Sequence, residues 1–566
     1  GAQSGFTSQG SGAIAIGVQA GQGIQGQQSV AIGVQAGQSN QGFGAIAIGY
    51  LAGQTSQQGN CVAIGYQAGQ TSQGGNSVAI GYQAGQNTQA GSAVAIGFLA
   101  GQTGQAVNAV AIGYLAGQTS QQAVCIAIGP QAGYNNQGLA AVAIGNNAGN
   151  NFQGGQCVAV GNRAGSTNQQ GSGVAVGFYA GGFTQGYQAV AVGAGAGQLY
   201  QGAQSVAVGN NAASATQGGN AVAIGNFAAQ TSQGYQAVAV GVNAGGSTQG
   251  QNAVAVGIQA GYTSQQSGAI AVGSQAGQGT QGQNAVAIGV TAGFTSQQSG
   301  AIAIGYLAGG STQGVNAVAI GITAGQISQQ SGAVAIGFRA GFTNQNSGAV
   351  AVGINAGLWT QGINAVAIGA QAGNTNQQTG AIAVGINAGA TSMGTQSIAI
   401  GANSNATSQF SIALGYNSNA SQNNQIALGT SAEVVICPGT STTTGFNAAA
   451  LSLVAYSSIL VNGSLISTSD YRLKTNVENL DSDNSTVDKL RPVIYNKKNS
   501  NKREYGFIAH ELQEVFPELV YGEKDGICMQ SVNYIGLIPI LIKEVKDLKA
   551  NVKFLNEEME ELKKNL

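Results

Sequence analysis

Small and branched aliphatic residues alternate along this chain in four-residue bursts, each closed by a glycine that returns every sixteen residues from Gly17 to Gly401. Ala stands two residues before each of these glycines and Val or Ile three before. Alternation at period two predicts a strand, and a fixed short period predicts a solenoid whose repeats bury their apolar faces by stacking on one another. Two further turns, at Gly415 and Gly429, shorten the period to fourteen. The pattern predicts a rod of twenty-seven stacked strands, about 130 Å long at ~4.8 Å per strand.

One strand face is bulky and aliphatic; the other is limited to Ala beside Ala, Ser, Cys or an occasional Gln. The expectation is that Val and Ile fill each roll. The small face then turns outward, where other copies of the chain approach closely around an axis. The pattern leaves open the exchange of these two roles.

The repeat glycine suits a corner at positive φ, and a second corner follows at Ala-Gly, as at Ala68-Gly69. Eight residues after every repeat glycine from Gly17 to Gly369 stands a glutamine, twenty-three in all from Gln25 to Gln377, until Met393 ends the series. A solvated surface position does not demand one residue type so often. Stacked in register, these amides predict a ladder of side-chain hydrogen bonds along the rod.

Charge changes the picture next. Residues 1–468 hold no Asp, His or Lys, and their only charges are Arg163, Arg339 and Glu433; the other 32 charged residues lie in 469–566. Glycan hydrolysis needs paired carboxylates, and metal or acid–base chemistry draws on side chains this region lacks. No activity on an external substrate, no metal and no cofactor is expected. The fifteen basic and seventeen acidic tail residues interleave, without the basic stripe that nucleic acid requires. Leu451–Val461 is too short to span a bilayer, so membrane insertion is not expected either.

Cys61, Cys125 and Cys157 each sit four residues before a repeat glycine, where other turns carry Ala or Ser. Several turns separate them, beyond disulfide reach within one chain. They read as small packing residues, with a bond between chains as the alternative. Tyr50, Tyr66, Tyr82, Phe98 and Tyr114, each directly after a repeat glycine, form a candidate aromatic ladder. Such rings steady adjacent strands or receive a sugar face.

The segments Ser397-Ile398-Ala399-Ile400-Gly401-Ala402-Asn403-Ser404-Asn405-Ala406 and Ser411-Ile412-Ala413-Leu414-Gly415-Tyr416-Asn417-Ser418-Asn419-Ala420 resemble the YadA-type head repeats of trimeric autotransporter adhesins. The resemblance implies an all-β solenoid, a left-handed parallel β-roll in a homotrimer, over residues 1–432. It is close for the fourteen-residue turns and looser for the sixteen-residue ones. A β-rich neck is expected at 433–468, with alternation in Leu451–Val454 and Ser458–Val461.

From Ser469 the composition changes. Ser469-Asp470-Tyr471-Arg472-Leu473-Lys474, Leu490-Arg491-Pro492-Val493-Ile494-Tyr495, Tyr505-Gly506-Phe507-Ile508-Ala509-His510-Glu511-Leu512, Phe516-Pro517-Glu518-Leu519-Val520 and Val532-Asn533-Tyr534 follow in order. This series resembles the endosialidase-type intramolecular chaperone at the C-terminus of phage tailspikes and related viral fibres. The resemblance implies a small α+β domain, 469–566, that trimerises the fibre before it and then cuts itself off at Ser469–Asp470. Ser469 would be the nucleophile and Lys474 its base, a pairing that works once the lysine's pKa is lowered. His510, on a helix expected over 509–515, has no catalytic partners at readable spacing.

Leu541, Val545, Leu548, Val552, Leu555, Met559 and Leu562 alternate steps of four and three, which predicts a trimeric coiled coil over about 538–566. The expected function is a homotrimeric structural or adhesive fibre of a virus or phage, on the virion surface or outside the cell, with a host glycan or receptor as a further partner. A bacterial adhesin or other extracellular filament using the same chaperone without cleavage is the alternative.

Overall fold

The computed structural model describes residues 1–430, 458–461, 464–467, 480, 487–496, 503–525 and 530–565. The chain divides into two compact units, Gly1–Thr443 and Thr444–Leu566.

The first unit is a parallel β-solenoid. Each turn runs from a three-residue strand through two corners to a short second strand and back. In one turn the strand Val62–Ile64 ends at Gly65, with φ +130°, where a Cβ would lie 2.4 Å from the carbonyl oxygen of Gly81 in the next turn. Only glycine fits there, because the corners stack backbone on backbone. Gln67 (φ 54°) and Gly69 (φ 52°) complete the first corner, Ser72–Gln73 forms the second strand, and Asn76 (φ 62°) turns the chain back. The next turn repeats this one residue for residue: Val62, Ala63 and Ile64 pair with Val78, Ala79 and Ile80. Twenty-seven such strands, from Ile14–Ile16 to Ile426–Leu428, make one parallel sheet in sequential order. The second strands make sheets of their own.

The two strand faces are exchanged relative to the expectation. The Ala two before each glycine is fully buried from Ala31 to Ala413, and so is the small residue four before it, such as Ala45 or Ser77. The Val and Ile three and one before it are half-buried and face out of the roll; Ile288, for instance, is 39% exposed. The reason is thickness. The second strand sends its glutamine inward, and an Ala layer facing a glutamine layer already fills the interior at normal packing density. Branched side chains have no room there.

The glutamine ladder exists and is internal. Gln73, fully buried, donates from Nε2 to the Val62 carbonyl across the roll (2.8 Å) and to Gln89 Oε1 in the next turn (3.2 Å). Gly69 makes space for this amide: a Cβ there would lie 2.8 Å from Gln73 Oε1. Turn-to-turn amide bonds run unbroken from Gln41 to Gln185, for example Gln57 to Gln73 (3.0 Å) and Gln169 to Gln185 (2.8 Å). They run again from Gln217 to Gln377, ending with Gln361 to Gln377 (3.2 Å). Gln201 and Gln217 each leave Oε1 buried without a partner, which separates the two runs. Met393 takes the buried place in the last sixteen-residue turn, and Ala406 and Ala420 take it where the period shortens. The longer turn is therefore the wider one, and its extra volume holds the amide.

In the second unit, Ser458–Val461 and Ser464–Ser467 form an antiparallel hairpin, which agrees with the strand expected at Ser458; Leu451–Val454 and Glu433 lie outside the described residues. Val493–Asn496 pairs with Arg503–Gly506, and Val520–Tyr521 with Ser531–Val532, both antiparallel. Helix α1 spans Ala509–Gln513 and helix α2 spans Leu537–Lys564. Leu512, Phe516, Leu519, Val520 and Leu537 form a small core.

Candidate functional site

Ser469, Asp470 and Lys474 lie outside the described residues. The other tail motifs are described, and the structure shows what they build. Arg491 grips Glu511 on α1 with two hydrogen bonds, Nε to Oε2 at 3.0 Å and Nη2 to Oε1 at 2.5 Å. This bidentate contact holds the Glu511 carboxyl below its usual range and raises the Arg491 guanidinium. Because the acid's pKa is depressed on folding, the contact stabilises the unit at neutral pH and is lost on acidification.

The Tyr534 hydroxyl accepts from the Phe507 backbone N–H (3.1 Å), and the two rings lie 6.3 Å apart. Asn533 donates its N–H to the Leu519 carbonyl (2.8 Å) and caps the next turn by accepting from Gly536 N–H (3.2 Å). Each motif thus ties one short element to the next around the Leu512 core. His510 sits half-buried on α1 beside Glu511 and makes no side-chain hydrogen bond among the described residues.

On α2, Leu541, Val545, Leu548, Val552, Leu555, Met559 and Leu562 are all about half exposed or more, and form one apolar seam. The seven residues fall on the helix as the heptad spacing predicts.

On the solenoid, Tyr50, Tyr66, Tyr82, Phe98 and Tyr114 stack as a ladder, with centroids 5.0 to 5.4 Å apart and interplanar angles of 5° to 18°. Each inner ring has both faces against its neighbours, which leaves edges and hydroxyls to solvent. A second amide ladder runs along the same turns outside the roll: Gln38 donates to Gln22, Gln54 to Gln38, and so on to Gln118, each at 3.0 Å. The two arginines each lie over a ring, Arg163 over Tyr179 (5.0 Å) and Arg339 over Phe342 (4.8 Å). Sequence reasoning missed this external ladder, although glutamine five residues after successive repeat glycines was its visible sign.

Cys61, Cys125 and Cys157 are free and fully buried inside the roll, where Sγ–H donates to the carbonyls of Gly74 (2.7 Å), Gly138 (2.7 Å) and Gln170 (2.8 Å). The packing reading holds, and the inward face rules out a bond between chains at these positions. Burial pushes the Cys125 and Cys157 thiols up. The native protein at pH 8 is expected to leave these three thiols unreacted with an aromatic disulfide reagent, and unfolding in guanidinium to release them; rapid native labelling at Cys125 would show that the roll opens. Among the described residues no helix is long and apolar enough to cross a membrane, and no group of three His, Cys, Asp or Glu side chains gathers as a metal site would require.

Two family models match the chain. Residues 378–404 and 406–432 match the YadA head domain repeat, in two copies, and residues 469–521 match the chaperone of endosialidase. The head-repeat match falls on the last sixteen-residue turns and the fourteen-residue turns, where the resemblance in sequence is closest. No curated protein matches the chain. Together the two matches define a fibre- or adhesin-like class, and the head repeats point to self-association and to a surface or extracellular setting.

Proposed function

We propose that this chain is the subunit of a homotrimeric adhesive fibre of a virus or phage, whose C-terminal domain assembles three chains and then releases itself by cleavage at Ser469–Asp470. The observation that carries the reading is the outward Val/Ile face. Two branched aliphatic side chains stand half-buried on each of 27 successive strands, a stripe that runs the length of the solenoid. Completing the burial of each contributes about 1 kcal/mol, and a contiguous apolar face this long on a nearly uncharged rod calls for a cover. A second and third copy supply it, since identical sixteen-residue repeats keep the faces in register.

The apolar seam of α2 supports the same stoichiometry at the other end of the chain, as a nucleus that brings chains together before slow non-local strand pairing begins. The chaperone match supports the virion setting through its resemblance to domains that end phage tailspikes. In this reading the Ser469 hydroxyl, its proton taken by Lys474, is the nucleophile that breaks the Ser469–Asp470 amide; Lys474 returns the proton to the departing Asp470 amine, and water hydrolyses the ester left behind to a free carboxylate at Ser469. Attachment to a host glycan or receptor belongs to the solenoid; along the ladder from Tyr50 to Tyr114, ring edges and hydroxyls would make the contact.

The test is to express the full chain beside Ser469→Ala and to weigh both, native and denatured. The wild type is expected to yield a native trimer and, denatured, two fragments cut before Asp470; Ser469→Ala is expected to yield an uncut trimer. A trimer that stays intact in the wild type would remove self-cleavage and favour the uncleaved adhesin. A native monomer would remove the architecture.

A further inference from the structure

Four successive turns depart from the regular pattern. In the second strands Thr103–Gln105, Thr119–Gln121, Asn135–Gln137 and Asn151–Gln153 the middle residue takes the left-handed conformation: Gly104 (φ 72°), Ser120 (51°), Asn136 (53°) and Phe152 (54°). The ladder pairs Thr119 with Asn135 and Gln121 with Gln137 and skips the residue between. Most other second strands have two residues and keep that position extended, as in Thr88–Gln89.

Beside these strands and the return corners lies an open groove of about 730 Å³, lined from Gly104 to Gly171. Its floor includes Gly138, Gly154, Gly155 and Gly171, which add no side chain. The groove follows the second strands, so a trimer formed through the first-strand Val/Ile face leaves it open.

We propose that this groove binds a neutral oligosaccharide, a reading that rests on the adhesive function above and adds a second contact surface to the ring ladder. Phe152 is the first observation. A bulky aromatic residue in the left-handed region is strained, and its ring is 61% exposed, so the fold itself draws little packing from it. The ring stands free at the groove wall with Leu139, unlike the rings of the stacked ladder, and offers the flat apolar surface that a pyranose face covers.

The second observation is the polar lining. The exposed amides of Asn136, Asn168 and Gln170 make no side-chain hydrogen bond within the chain and present donors and acceptors together, as sugar hydroxyls require. The third is charge. No ionisable side chain lines the groove, and no charged side chain precedes Arg163, whose guanidinium lies over Tyr179. A sialylated or phosphorylated ligand would find no cation to pair with.

The test titrates the native full-length protein with maltohexaose, mannohexaose and chitohexaose, and with a hexamer of sialic acid as the anionic probe, by calorimetry. At least one neutral hexasaccharide is expected to bind and the anionic one not. Phe152→Asn, which keeps a residue at ease in the left-handed region, is expected to weaken binding about tenfold. Gly155→Leu, where a Cβ meets only the Leu139 carbonyl at 3.4 Å, is expected to block the groove and abolish binding while the trimer mass stays unchanged. Failure of all neutral probes at 10 mM with the trimer intact, equal binding by the sialic acid hexamer, or wild-type affinity in both variants would each overturn the site without touching the trimeric fibre. A native monomer would instead overturn the reading on which the site rests.

Discussion

Gln265→Glu is expected to open the middle of the solenoid at neutral pH and to spare it in mild acid. Gln265 is 1% exposed, and its amide nitrogen donates to the Val254 carbonyl (2.7 Å), the Ala269 carbonyl (3.0 Å) and Gln281 Oε1 (3.1 Å), while its oxygen accepts from Gln249 (3.1 Å). An ionised carboxylate has no donor to offer, so three acceptor oxygens would face a buried negative charge. The loss is about 3–5 kcal/mol, the scale of an uncompensated buried charge. Protonated, the same side chain keeps one O–H donor.

Burial therefore raises the pKa of this acid above its unfolded value of about 4.3. The sign follows from linkage: stability is least affected below that value and falls as pH rises from there to the folded pKa, by about 1.4 kcal/mol per unit. Urea unfolding at pH 4 and pH 7, with hydrogen exchange across turns 241–289, measures it. Gln265→Met, which copies Met393, is the control; it fills the volume and loses about 1–3 kcal/mol at either pH. A Gln265→Glu rod as stable as wild type at pH 7 would mean that the amide is not buried.

Ile288→Asp reports on the other face of the same sheet. With this face uncovered, replacing a side chain 39% exposed loses only its present partial burial, about 1 kcal/mol. Under two further chains it loses several kcal/mol per chain (on the order of 3), because the carboxylate is desolvated among Val and Ile without a partner and meets its two copies at the same height. Ile288→Asn separates the two contributions: it keeps the desolvation of a polar group and removes the repulsion, so it is expected to fall between. The thermal midpoint of the native full-length protein reads all three. A drop in Ile288→Asp no larger than the surface value would show that this face stays uncovered.

The glycine period, the strand before it, both corners and the glutamine ladder were legible in the sequence because each is a local or strictly repeated requirement. A Cβ at Gly65 strikes the next turn's backbone whatever surrounds it. The inside and outside of the strand were not legible from residue size. Size favours Val62 and Ile64 for a core, yet the core is only as deep as Ala63 opposite Gln73 allows. The sign that decides it was present: Gly69 stands four residues before Gln73 and clears space for the amide, which makes sense only if the amide turns inward. Of the candidate sites, the ring ladder was legible from its spacing. The groove beside Phe152 was not, since the local departure at Ser120, Asn136 and Phe152 is one of backbone conformation and carries no fixed residue type. In the tail, motif order was legible, while the contacts that explain it, Arg491 with Glu511 and Tyr534 with Phe507, join elements 20 and 27 residues apart.

The internal ladder also decides how the solenoid answers a pull. Its strands lie across the long axis, so their hydrogen bonds point along it and tension loads the turns in series, as links in a chain, rather than all at once in shear. A series of links parts at the one with the fewest bonds. Such links are marked: between Gln25 and Gln41 and between Gln185 and Gln217 the amides do not bridge from turn to turn and buried glutamine oxygens lack partners, and beyond Gln377 Met393, Ala406 and Ala420 replace the amide, whereas the runs from Gln41 to Gln185 and from Gln217 to Gln377 are continuous. A single solenoid stretched between its ends would first lengthen at these places, one near its middle and the others towards its ends, and keep the two laddered segments whole as separate springs.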